Sequence, residues 1–235
     1  MIVTNKKGAQ ARHLIFFTPN QLQVLNKAKT LYMDGTFKII KKPFSQLFAI
    51  HAFIKGDDGN LKQIPIAYIM MSRREKKDYK KVLKALIQLA PGRLSQVEQV
   101  MVDYEIGLWQ ALRNVMPNVI IKGCSFHWGQ AVWNKCQKLG LQEPYGSNEN
   151  VKKFIRKILA LKYLPHEHII PAFEILCNEV SHQPTLTELC DYIKDNWIEG
   201  NWSPEDWSVF NMYVRTNNDT EGWHRRITSK LSAKA

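Results

Sequence analysis

Apolar and polar positions change period part-way along the chain. Residues 31–40, LYMDGTFKII, form a strand-like apolar run that carries an early aspartate. FSQLFAIHAFI (44–54) and KQIPIAYIMM (62–71) read as two more strands, with the turn cluster KGDDGN (55–60) between them, so 31–71 is an antiparallel meander. Ahead of it, Thr18-Pro19 predicts a short helix running through Leu22 and Leu25, with Thr18 as N-cap and Pro19 in the first helical position. From 78 the spacing becomes helical. Val82, Leu83, Leu86, Ile87 and Leu89 share one face, and Pro91-Gly92 ends the run. A Val-rich strand (96–104), a helix (105–116) with Leu108, Leu112, Val115 and Met116 on one face, a strand (118–126) and a helix (128–141) follow.

Three meander strands and then helix, strand, helix, strand is the element order of the ribonuclease H-like fold, an α/β architecture with a mixed five-stranded sheet and flanking helices. Few other arrangements satisfy short loops and crossover handedness. Residues 142–212 contain no convincing strand. VKKFIRKILALKYL (151–164) is a basic amphipathic helix with Val151, Phe154, Ile155, Ile158 and Leu159 as its stripe, and 171–180 and 186–197 continue the helical pattern. The expected organisation is an N-terminal segment with a short helix (1–30), the first part of the core (31–141), an all-helical insertion (142–212) and a last core helix (213–235).

Length and composition fit this plan: 235 residues, 45% hydrophobic and 23% charged, suffice for a globular core. No apolar run reaches membrane-spanning length, and MIVTNKKGAQ has no signal-peptide pattern. Cys124, Cys136, Cys177 and Cys190 show no paired C-x-x-C spacing, so free thiols in a reducing compartment are expected. Charge adds the first functional hint. A net +12, with a pI near 9.5, favours a polyanionic partner, since each neutralised phosphate releases counterions.

Three carboxylates stand out. Asp34 lies between residues that should be buried, where an aspartate is costly unless satisfied; an Asp-Gly turn is the competing account. Asp103 ends the Val-rich strand, where α/β sheets place ligands, and equally suits a helix N-cap. In the ribonuclease H topology the strands bearing these two are parallel neighbours. Two carboxylates side by side repel unless a cation lies between them, and Mg²⁺ or Mn²⁺ suits oxygen ligands. Two such ions would clamp the attacking and leaving oxygens of a phosphodiester displacement. Glu221 is the third candidate, although Asn218 and Glu221 also have the spacing of a cap and its N3 carboxylate. Glu105, two residues past Asp103, competes for the same role.

LYMDGTFK, QVMVDYEIGLWQALRNVMP, IIKGCSFHWGQAVWNK and YVRTNNDTEGWHRRI, in that order, resemble the transposase domain of Mutator-like elements (MULE transposases) from about Thr18 to the end of the chain. The resemblance implies a D-D-E triad of Asp34, Asp103 and Glu221, holding Mg²⁺ or Mn²⁺ for phosphoryl transfer, and an insertion before the glutamate. It also implies a C-x-x-H element at Cys124 and His127. The implied function is DNA cleavage and strand transfer at transposon ends, with double-stranded DNA as partner, a homo-oligomeric state and a nuclear location. A domesticated DNA-binding or chromatin regulator without cleavage is the alternative, as is a nuclease without strand transfer. The zinc modules that commonly flank this domain are not found here.

Cys124 and His127 lack an obvious second pair for zinc. His127 is placed to donate to a phosphate or a carboxylate, or simply to pack beside Trp128. His224 either orients Glu221, touches DNA or plays no part. Basic stretches at 72–81, 151–162 (with Lys152 and Lys153) and 224–230 (with Arg225) are solvated faces that also suit phosphate. The Trp-rich stretch Trp197, Trp202, Trp207, Phe210 either packs the insertion or stacks on an unpaired base.

Overall fold

The computed structural model describes residues 2–4, 11–37, 39–56, 59–216 and 222. The chain forms two compact units, residues 1–121 with 217–235, and residues 122–216, each described by itself.

The first unit is α/β. Its strands are β1 (Ile2–Thr4), β2 (Arg12–Phe16), β3 (Thr30–Thr36), β4 (Gln46–Lys55), β5 (Leu61–Met71) and β6 (Gln99–Val102), and β7 (Ile120–Gly123) runs across the boundary in the chain. Among the described residues the sheet has seven strands in the order β1-β2-β5-β4-β3-β6-β7. It is mixed: β3, β4 and β5 form the expected antiparallel meander, and β3 pairs with β6 in parallel. Sequence reasoning gave five strands and only a short helix before residue 31. The structure corrects this with β1 and β2, which pair with each other while β2 pairs antiparallel with β5. RHLIF hides its alternation because its inward residues include a histidine, His13, buried with Ile15.

Helix α1 (Pro19–Lys27) starts as its sequence requires. Thr18 Oγ1 accepts from the Gln21 N–H at 3.2 Å, Gln21 Oε1 accepts from the Thr18 N–H at 2.7 Å, and Pro19 opens the helix. Helix α2 (Lys76–Leu89) buries Tyr79, Val82, Leu83 and Leu86 at helical spacing, and α3 (Ile106–Val115) buries Leu108, Trp109 and Leu112. Strands β6 and β7 are shorter than the apolar runs suggested. Pairing of β6 starts only where the Glu98 and Gln99 N–H groups reach the Lys29 carbonyl, after a turn with Arg93 and Leu94 at positive φ. β7 stops at Gly123 because Cys124 is already the N-cap of the next helix.

The second unit is helical: α4 (Ser125–Lys138), α5 (Gln142–Ser147), α6 (Glu149–Ala160), a 3₁₀ turn (Leu161–Tyr163), α7 (His166–Glu179), α8 (Pro184–Ile193), a π turn (Lys194–Ile198) and α9 (Pro204–Trp207). Its core is aromatic. Trp128 stacks on Trp207 with ring centroids 4.8 Å apart and meets Trp197 edge-on at 6.4 Å, and the Trp207 indole N–H donates to the Trp197 carbonyl at 2.7 Å. Of the stripe expected on α6, Val151, Phe154, Ile155 and Ile158 are buried, and Leu159 is half-buried. No described helix is long and apolar enough to cross a membrane.

Candidate functional site

The parallel pairing of β3 with β6 sets the site. Met33 is opposite Val102, and paired residues of parallel strands share a face of the sheet. Asp34 and Asp103 are the residues that follow this pair, on strands about 4.8 Å apart, and Asp34, still within β3, points to the other face. Asp34 remains inside β3, 5% exposed, opposite the fully buried Ala49 of β4. One carboxylate oxygen accepts the N–H of Gly35 at 2.7 Å, which fixes its orientation locally. Asp103 is the first residue past β6, where the backbone turns into α3; its carbonyl accepts from the Glu105 N–H at 2.8 Å and from the Trp109 indole at 2.8 Å. Those bonds hold the backbone, and the N-cap position of α3 falls to Glu105, not to Asp103.

Glu105 is committed elsewhere. A Cβ on Gly35, back on the Met33 face, would lie 2.6 Å from Gln46 Oε1. Gln46 Nε2 donates to the Tyr79 hydroxyl at 2.7 Å, and that hydroxyl donates to Glu105 Oε2 at 2.8 Å. The glutamine, tyrosine and glutamate thus form a relay on the face opposite Asp34. Burial raises the Glu105 carboxyl above the ordinary range, with the Asp103 charge pushing the same way, against lowering by the Tyr79 bond and the Arg74 charge. The same burial, with the Glu105 charge behind it, raises the Tyr79 phenol well beyond its usual range. Sequence reasoning weighed Glu105 as a ligand but missed Tyr79 and Gln46. The tight Asp34-Gly35 step was the only local signal of a side chain packed against that glycine.

A second buried polar pair sits in the same unit. His13 Nε2 and Asp78 Oδ1 are 3.3 Å apart with both side chains fully buried, and burial lowers the imidazole below its ordinary value more than Asp78 raises it. The Asp78 carboxylate also accepts the Glu75 N–H at 3.1 Å, so the pair ties β2 to the start of α2.

In the second unit, Cys124 is the buried N-cap of α4, and His127 lies in the first turn with its ring edge-on to Phe126 at 5.4 Å. Cys136 and Cys190 are buried on α4 and α8. Trp197 and Trp207 are core residues and Trp202 stacks on Trp197, so packing accounts for these three, while Phe210 is exposed. On α6, Lys152 pairs with Glu149 at 2.8 Å and Lys157 with Glu179 at 2.9 Å, leaving Lys153 and Arg156 as exposed cations. Glu221, His224 and Arg225 lie outside the described residues.

Residues 30–131 match the family model of the MULE transposase domain, which bears out the resemblance over that span. Asp34, Asp103, Cys124 and His127 fall within the match, and Glu221, His224 and Arg225 beyond it. The match ties the chain to transposase-related function and implies DNA as its partner. No curated protein matches the chain.

Proposed function

We propose that this chain is the catalytic core of a DNA transposase with a ribonuclease H-like fold, cutting DNA and transferring the freed strand by metal-dependent phosphoryl transfer. The observation that carries the reading is the Met33–Val102 register, with Asp34 and Asp103 as the next residues in sequence and Asp34 buried in the sheet. The order β5-β4-β3-β6-β7 supports the fold, since it is the meander with β6 added in parallel and β7 beyond it.

The residues fit a hard divalent cation. An aspartate 5% exposed, one residue past the Met33–Val102 pair, and a second at the same step on the neighbouring strand offer carboxylate oxygens, which suit such an ion. Asp34 and Asp103, with Glu221 as third ligand, would hold Mg²⁺ or Mn²⁺, in a pair of ions if the arrangement is complete. When bound, the metal lowers the barrier by neutralising charge on the reacting phosphate and its oxygens. Gly35 orients the Asp34 carboxylate through its N–H, and β3 and β6 keep both aspartates rigid, which limits reorganisation during the reaction. Cleavage at the element end frees a 3′-OH, which then attacks target DNA with no covalent enzyme intermediate. The exposed cations of α2 and α6 hold phosphates in the ground state. The helical segment 142–212 is read as an insertion between the core (31–141) and a last core helix (213–235). Self-association and a nuclear location complete the proposal.

The test pairs nicking of supercoiled plasmid, with and without Mg²⁺ or Mn²⁺, with DNA affinity and thermal melting of the same variant. Asp103→Ala should abolish nicking and leave binding intact or tighter, because the carboxylate serves the transition state and its charge repels phosphate. Unchanged nicking overturns the assignment. A wild-type chain that binds DNA but cuts under neither metal is a DNA-binding regulator instead.

A further inference from the structure

The rim beyond β3 carries two side chains that the acidic pair does not use. Phe37 is the first residue past the strand and is 50% exposed, although Leu31, Met33 and Phe48 around that strand are fully buried. Arg74, exposed just ahead of α2, sets its guanidinium 4.5 Å from the centre of the Phe37 ring. Both are placed by backbone. Phe37 follows Thr36, the last residue of β3 in register with β4, opposite Leu47. The Arg74 carbonyl lies 3.1 Å from where a Cβ on Gly107 would be, so the start of α3 presses against it.

A phenyl ring half in water contributes little to the core. A cation on one side of it, with exposed Arg73, Lys76 and Lys77 beside it in sequence, gives it a different use. Aromatic faces that take a base, next to cations that take the backbone, are how proteins hold unpaired nucleotides without reading sequence. Phe37 stands three residues beyond Asp34, roughly 10 Å further on and past the last paired residue of β3, at the rim that a nucleic-acid strand leaving the aspartates would cross.

We infer that Phe37 and Arg74 form a subsite for an unpaired nucleotide of the strand being processed, the base stacking on the phenyl ring and the guanidinium taking the adjoining phosphate. The inference rests on the DNA-processing reading above and deepens it by naming what grips the strand beside the reacting phosphate. It also gives the +12 chain a contact that depends on strand separation as well as on charge.

The experiment uses the full chain with a short single-stranded DNA in which 2-aminopurine is stepped through successive positions. Fluorescence reports stacking, and anisotropy across a salt series reports affinity. The wild type should quench 2-aminopurine at one or two positions. Phe37→Leu, which keeps an apolar side chain and should melt like the wild type, should abolish that quenching and weaken binding by roughly 5-fold or more. Arg74→Gln should lower the salt dependence of binding by about one phosphate's worth. Quenching that persists in Phe37→Leu overturns the subsite even if the chain nicks plasmid. Quenching lost in Phe37→Leu supports it even if no metal supports nicking, which separates this inference from the catalytic one. A wild type that binds no DNA overturns both.

Discussion

The two units solve the problem of a core in opposite ways. Among the described residues, the buried aspartates and histidines all lie in the first unit: His13, Asp34, His51 and Asp78. The second unit buries only Ser125 and Ser208 as polar residues, around stacked indoles and the side chains of Ile155, Ile158, Ile169 and Ile193. Burying a charge costs several kcal/mol unless partners offset it, whereas burying indole is favourable in itself. A fold therefore keeps buried charge where something other than stability selects it. The sheet unit holds the buried acids and imidazoles; the helical unit packs rings and aliphatic side chains.

The sharpest way to break that contrast is to attack each core in its own terms. Trp128→Ala should destabilise the chain by about 3–5 kcal/mol, read as a loss of melting temperature or denaturant midpoint, because it removes the ring that stacks on Trp207. A loss under 1 kcal/mol would mean that the indole cluster is not what holds the helices. Asp34→Asn should do the reverse. Nicking should fall by at least about 100-fold while the melting temperature holds or rises, since a neutral amide relieves a buried, repelled charge. A large drop in stability would instead make Asp34 a structural residue.

Smaller effects probe the relay behind the aspartates. Gly35→Ala should cost about 1–3 kcal/mol, as its methyl would meet Gln46 Oε1, and Gln46→Ala in the same chain should recover part of that loss. Additive losses would show that the glycine acts otherwise. The mildest test is pH. The folded His13 binds its proton less readily than the unfolded chain, whose value is near 6.5, so the unfolded state takes up more protons below that pH. Its contribution is complete above 6.5 and is lost as pH falls below it, by at most about 1.4 kcal/mol per pH unit. His13→Gln, which can still reach Asp78, should flatten that slope in denaturant titrations at several pH values; an unchanged slope would place the titration on another group.

Much of this was legible in the sequence where one stretch decides its own structure. Thr18, Pro19 and Gln21 specify a helix start within four residues, and the α6 stripe follows from spacing alone. The meander was legible too, because β3, β4 and β5 are apolar runs that follow one another in sequence, the last two joined by a five-residue turn. The edge was not: β2 pairs with β5 across some fifty residues, and its inward histidine finds Asp78 only once α2 is in place. The site shows the same division. An aspartate in an apolar strand signals itself, but whether Glu105 joins it depended on Tyr79, a residue 26 positions earlier whose hydroxyl claims the carboxylate for the other face. The acidic candidate Glu221 lies outside the described residues and rests on motif resemblance.

The register of β3 with β6 also dictates which length changes this gene can survive. Deleting one residue within Gln99–Val102 would swing Asp103 through to the opposite side of the sheet, away from Asp34, while leaving a strand that still pairs. The same deletion in the 90–98 connection can be taken up before the Glu98 and Gln99 N–H groups meet the Lys29 carbonyl, which resets the strand to its starting point. Inherited insertions and deletions should therefore accumulate in that connection and stop short at Gln99, so the spacing between the two aspartates can drift across lineages while their phase stays fixed.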